Sequence, residues 1–185
     1  MQLPESLIYI GDYAFYKNDL TSITIPNGVT YIGDSAFRSN QLTSVTIPNG
    51  VTSIGSGAFS QNDLTNVTIP NSVTSIDKEA FSYNQLTSVT IGNSVAFIGE
   101  MAFYRNDLTS VTIPASVTSI GHGAFYNNKL TSITFEGADT ELFKTGPGNS
   151  FVDDLIRKYR SGGIGTYTRQ ETDNYSGQWT RQWGM

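Results

Sequence analysis

From Leu3 to Phe135 the chain repeats with a period of 22 residues and no insertion or deletion, which limits the folds open to it. Phenylalanine stands at Phe15, Phe37, Phe59, Phe81, Phe103 and Phe125, each preceded by alanine. The same spacing carries Leu20, Leu42, Leu64, Leu86, Leu108 and Leu130, and Ile10, Ile32, Ile54, Ile76, Ile98 and Ile120. A unit this short cannot enclose a core alone, so each must bury its apolar face on the next. The expected architecture is a β-rich solenoid over 1–135, one partial N-terminal unit plus five full 22-residue units, with large exposed faces.

Composition excludes several function classes. Sixteen acidic residues against 11 Lys and Arg give a net charge of -5, without the basic stripe that a phosphate backbone requires, so no nucleic-acid partner is expected. Charged residues make up only 15% of the chain, because its polar faces are written in Ser, Thr and Asn. Cysteine is absent, which removes disulfides, thiol nucleophiles and thiolate metal sites. No apolar run approaches the roughly 20 residues of a membrane span, and no membrane insertion is expected. Met1 leads into the first unit without a signal-peptide-like stretch, which reads as an intracellular chain or a trimmed one.

The unit Leu42 to Asp63 reads LTSVTIPNGVTSIGSGAFSQND. Val45 and Ile47 alternate with Ser44 and Thr46, the period of a half-buried strand. Pro48 has no N–H to continue a ladder. Asn49-Gly50 reads as a turn in which Gly takes positive φ, Val51 to Ile54 as a second short strand, and Gly55 as its end. Ala58-Phe59 brings the chain back inward. Asn18, Asn40, Asn62, Asn84, Asn106 and Asn128 recur two residues before the leading Leu. A short amide that accepts positive φ and bonds neighbouring backbone suits a buried corner, so this row is scaffold and not a set of ligand amides.

The motif LTSVTIPNxVTSIGxxAFxxN resembles the BspA-like leucine-rich repeat family of bacterial and protist surface proteins, over Leu3 to Phe135. Many members carry a Cys and one further residue where this chain has a single Asn, and their repeat is commonly 23 long rather than 22. The resemblance implies an arc-shaped, non-enzymatic recognition or adhesion module, secreted or at the cell surface, with no catalytic residue to carry over.

Because constant positions hold such an array together, its exceptions are the candidate contact residues. One row reads Tyr9, Tyr31, Ser53, Ser75, Phe97, Ser119. Two more follow the Phe row: Tyr16, Arg38, Ser60, Ser82, Tyr104, Tyr126, and Lys17, Ser39, Gln61, Tyr83, Arg105, Asn127. Tyr and Arg are the types enriched in binding hot spots, and they gather most densely around Phe97, Met101, Tyr104 and Arg105. The candidate binding residues are Tyr83, Phe97, Tyr104 and Arg105, all expected at the surface on one side, with the strand hydroxyls of Ser88, Thr90, Ser110 and Thr112. Those hydroxyls belong to rows set about 4.8 Å apart, as in ice-binding solenoids, although Thr is also an ordinary residue for a solvated strand face. Asp77 and Glu79 flank Lys78 in the one unit where Asp replaces Gly, but two carboxylates do not supply the oxygens that calcium needs. His122 stands alone and reads as a solvent-facing variant of Asp12, Asp34, Ser56, Lys78 and Glu100, so neither a zinc site nor a triad is expected, nor any cofactor.

After Phe135 the period fails. Gly146 to Asn149 reads as a turn, Ser150 as the cap of a helix through Val152, Leu155, Ile156 and Tyr159, and Gly162-Gly163 as its stop. Thr166-Tyr167-Thr168 and Gln178-Trp179-Thr180 read as a hairpin. The expectation is an α+β C-terminal cap over 136–185 that hides the last coil, the rival being a separate aromatic sugar-binding tip. The whole is expected to be a monomeric, non-catalytic binding or adhesion module for a protein or a glycan, using a concave strand face and its aromatic margin. The alternatives are a structural spacer that displays other domains, an enzyme accessory region and the ice-binding array.

Overall fold

The structure, a computed structural model, describes residues 2–137, 164–168 and 180–182. Each 22-residue unit forms one coil. Six two-residue strands build the first sheet: β1 (Tyr9–Ile10), β2 (Tyr31–Ile32), β3 (Ser53–Ile54), β5 (Ser75–Ile76), β7 (Phe97–Ile98) and β9 (Ser119–Ile120). They run parallel in the order β1-β2-β3-β5-β7-β9, and isoleucine meets isoleucine one repeat away. On the other side of the coil, β4 (Asn66–Thr68) pairs with β6 (Ser88–Thr90), and β8 (Ser110–Ile113) pairs with β10 (Ser132–Phe135). Apart from one bridge between Gln2 and Thr24, ladder pairing on this second side begins at Asn66, so the strand expected over Leu42 to Ile47 stays outside it.

The interior between the two sides is filled by rows. The Phe rings stack at centroid separations of 5.2 to 5.5 Å with nearly parallel planes. Ile32, Val51, Phe59, Leu64 and their equivalents between Val29 and Leu108 are fully buried, while Phe15 and Leu20 in the first unit are half-buried. Adjacent coils come so close that one row is glycine in every unit except at Asp77, where the backbone must give way: a Cβ on Gly99 would lie 2.5 Å from the Asp77 carbonyl carbon. Gly55 is explained in the same way, with its Cβ 2.7 Å from backbone of Gly33.

Two turn expectations need correction. The Pro48 to Val51 turn closes by an N–H of Val51 donating to Pro48 O at 3.1 Å, and Gly50 does not take positive φ. Ser72, Ser94 and Ser116 occupy the equivalent place, because such a turn accepts any residue there. Positive φ falls instead on two rows that spacing alone did not reveal. One is Tyr13, Ser35, Gly57, Glu79, Met101 and Gly123; the other is Lys17, Ser39, Gln61, Tyr83, Arg105 and Asn127, immediately before the Asn row. The asparagines therefore act through their amides. Asn84 Nδ2 donates to Phe59 O (2.9 Å) and Phe81 O (3.2 Å), while its Oδ1 accepts from Leu64 N (3.0 Å), and Asn40, Asn62, Asn106 and Asn128 repeat the pattern.

Beyond the repeats, β11 (Gly165–Thr168) pairs antiparallel with β10, and β12 (Thr180–Gln182) pairs antiparallel with β11. Tyr167 is fully buried and its ring meets Phe135 edge-on at 5.8 Å. The second strand of this hairpin lies at Thr180–Gln182, whereas Gln178 and Trp179, like the helix expected after Ser150, lie outside the described residues.

Candidate turn-edge binding site

Two residues past each buried Phe the chain takes positive φ, and this left-handed step turns the side chain of that position away from the coil axis. At Tyr83 and Arg105, one coil apart, φ is 55° and 53°. Because the row repeats every 22 residues, large side chains placed on it and on the position before it become neighbours. Arg105 lies with its guanidinium carbon 5.3 Å from the Tyr83 ring centroid and 5.7 Å from that of Tyr104. Those two rings meet edge-on at 5.3 Å, and Tyr104 stacks on Tyr126 at 6.0 Å. Arg105 Nε donates to the Tyr104 hydroxyl at 3.2 Å, and Asn127 Nδ2 donates to the same oxygen at 3.3 Å. The Tyr104 hydrogen bond, reinforced by the two phenols, holds the Arg105 guanidinium above its ordinary pKa.

The structure thus brings together Tyr83, Tyr104 and Arg105 and adds Tyr126 and Asn127. These last two are large or polar members of the same rows, and that was the signal available for finding them. Tyr83 is 41% exposed and Arg105 is exposed, but Tyr104 is half-buried between its neighbours. Phe97 is set elsewhere: it sits half-buried in β7 between Ser75 and Ser119 and makes no ring contact among the described residues. Ser88, Thr90, Ser110 and Thr112 are exposed on β6 and β8, the second side. Residues expected on one side therefore divide among three parts of the coil, since five to fourteen residues of turning chain separate them within each repeat.

The hydroxyl rows do not form one unbroken array. Thr68 pairs with Thr90 and Thr112 with Thr134, but β6 and β8 belong to separate ladders. Thr134 Oγ1 is already bonded to Thr166 Oγ1 at 2.9 Å. A groove of about 620 Å³ crosses this side over Thr46, Thr68 and Thr90, walled by Ile47, Ile69 and Pro70.

The acidic residues have structural partners. Glu79 reaches Arg38 at 3.8 Å, whose side chain passes over Gly57, and Lys78 pairs with Glu100 at 3.5 Å. Asp77 is half-buried; burial first, then the nearby Asp34 carboxylate, push its pKa up, while a Ser75 hydrogen bond opposes them. Among the described residues no group of three or more His, Asp or Glu is placed to hold a metal. His122, expected to face solvent, is half-buried with Nε2 out of solvent and without a hydrogen bond, next to Gly121, where the chain packs against the Glu100 backbone.

Among the described residues no helix is long and apolar enough to cross a membrane. No curated protein matches the chain. It is similar to the crystal structure of a leucine rich cell surface protein from Faecalibacterium prausnitzii: 28% identity over 96% of this chain and 52% of the other, with a TM-score of 0.56. It is also similar to the pneumococcal vaccine antigen PcpA: 22% identity over 73% of this chain and 40% of that one, with a TM-score of 0.65. The chain thus spans about half the length of the first and less of the second. A model of the BspA type leucine rich repeat region matches in six copies, over residues 1–85 and 74–145. With the 22-residue period, the Phe and Asn ladders and the two-sided coil all accounted for by that repeat, the chain belongs to the BspA type leucine-rich repeat family.

Proposed function

We propose that the chain is a non-catalytic binding module of a cell-surface protein, which holds a glycan or protein ligand along the turn edge centred on Tyr83, Tyr104 and Arg105. The observation that carries this reading is the guanidinium set against two aromatic rings at 5.3 and 5.7 Å on an exposed edge. Tyr and Arg in contact, oriented before any ligand arrives, are what binding hot spots are made of. The strand hydroxyls of Ser88, Thr90, Ser110 and Thr112, on the second side, extend the contact surface from this edge, and Phe97, in the first sheet, stands apart from it. The surface location rests on the relative described as a cell surface protein. Residues 136–185 close the last coil, a role supported by Tyr167 packed on Phe135, and the module works as a monomer.

The test is a glycan and extracellular-matrix protein array probed with the chain, followed by titration of each hit with Tyr83→Ala and Arg105→Ala. Each variant is expected to weaken a true ligand by more than about 1 kcal/mol. Unchanged affinity in both would move the contact surface off this edge. An array without hits would favour a spacer.

A further inference from the structure

Arg105 differs from the other cations of the repeats. Arg38, Lys78 and Lys129 are paired with Glu79, Glu100 and Asp107, and Lys17 lies over the Tyr16 ring. Arg105 makes no ion pair among the described residues, and only its Nε is engaged, by the Tyr104 oxygen. Its terminal N–H groups remain as a planar fork, held in place by Tyr83 and Tyr104. The Tyr104 hydroxyl accepts from both Arg105 and Asn127, so its own proton is left to donate outward. Beside these groups lies an open cavity of about 360 Å³ lined by Arg105, Asp107, Asn127 and Lys129. The one carboxylate there is neutralised by Lys129 at 2.7 Å, which leaves the cavity a positive charge in a chain whose net charge is -5.

A fork of guanidinium donors with an adjacent hydroxyl donor suits a carboxylate better than any neutral group. The cavity lies at the small end of ligand sites, which run from about 300 to 1,000 Å³. Its walls are amides and charged side chains, without the apolar hole that anchors a peptide side chain. Stacked Tyr104 and Tyr126 stand outside this lining and join it through the Tyr104 hydroxyl, bonded to Asn127 in the cavity wall, so that an amphipathic aromatic surface borders the cavity. We propose that this cavity is the subsite for a carboxylate-bearing sugar, a uronic or sialic acid residue within a glycan. Arg105 and the Tyr104 hydroxyl take the carboxylate, and the tyrosine pair receives the ring. The inference rests on the turn edge being the contact surface.

The full chain is titrated by NMR with 3′-sialyllactose and with a hyaluronan tetrasaccharide, each beside a neutral counterpart, lactose and the carboxyl-reduced tetrasaccharide. At least one acidic sugar is expected to bind, its neutral counterpart about tenfold more weakly or worse, with Arg105→Gln losing a similar factor and Tyr104→Phe a smaller one. Circular dichroism of both variants checks that the coil is intact, and Arg105→Lys separates charge from the fork. Equal binding of acidic and neutral sugars through Tyr83 and Arg105 would overturn the carboxylate assignment and leave the contact surface standing. So would Arg105-dependent binding of a poly-glutamate peptide when neither sugar binds. Failure of every probe at this edge, with hits from the array mapping elsewhere, would overturn both.

Discussion

Phe103 and Arg105 are two residues apart and live under opposite constraints. Phe103 is fully buried, stacked at 5.5 Å on Phe81 and 5.3 Å on Phe125, and its row is the same residue in every coil. The row of Arg105 holds Lys, Ser, Gln, Tyr, Arg and Asn, yet all six share φ between 52° and 58°. A buried ring must match the rings above and below it, whereas an outward left-handed residue answers only to its backbone, and many residues tolerate that angle at moderate strain. The array thus separates its duties within a single turn: a repeating interior holds the coils, and the edge beside it is free to vary.

The largest effect should come from breaking the interior. Phe81→Ala removes the centre of a stack of rings and is expected to cost about 3 to 5 kcal/mol in denaturant unfolding; melting like the parent would mean that the Phe row does not carry the core. Next is Asn84→Ala, which leaves Leu64 N buried without its partner, while Phe59 O and Phe81 O each lose one of two amide donors and keep those of Asn62 and Asn106. One stranded N–H of this kind costs about 1 to 3 kcal/mol, measurable by the same unfolding and by faster amide exchange at Leu64. A change near zero would make the Asn ladder dispensable and blur the line between interior and edge.

Asp77 sharpens the comparison because it is a variable residue placed inward. Its carboxyl is held above its ordinary value of 3.8, first by burial and then by Asp34, so the folded state binds a proton more tightly than the unfolded chain does. The stability from this group is fully present below that ordinary value and is lost as pH rises through the folded one. Asp77→Asn is therefore expected to be more stable than the parent at pH 7, by less than about 1 kcal/mol given its half exposure. The gap should close as the pH falls toward the ordinary carboxylate value, and a gap that widened on acidification would reverse the assignment. The smallest effect is at the edge itself: Arg105→Ala should leave stability within about 0.5 kcal/mol of the parent. A loss comparable to that of Asn84→Ala would mean that the edge is scaffold too.

Much of this fold was legible in the residues before any coordinates. The period, the inward rows and the structural role of the Asn ladder follow from positions that recur, since a stacking partner 22 residues away is an identical environment and demands an identical answer. Gly50 and the Asn row were misread in backbone angle, because a residue type that permits positive φ does not require it. Only the path of the coil shows that the left-handed residue precedes the Asn. Half of the candidate site was legible for a similar reason: Tyr83, Tyr104 and Arg105 depart from their rows close to one another. Phe97 departs as visibly and lies on a different sheet, and Tyr126 and Asn127 were visible as row members without any sign that they meet Tyr104.

The sequence by itself determined that this chain is a stacked array and which side chains fill its axis, because a strict repeat leaves one way to bury a short unit. Tertiary structure alone decided which departures become neighbours. Contacts across coils depend on where each row points around the perimeter, and that direction is set by the two left-handed turns of every unit, which the residues occupying them do not announce.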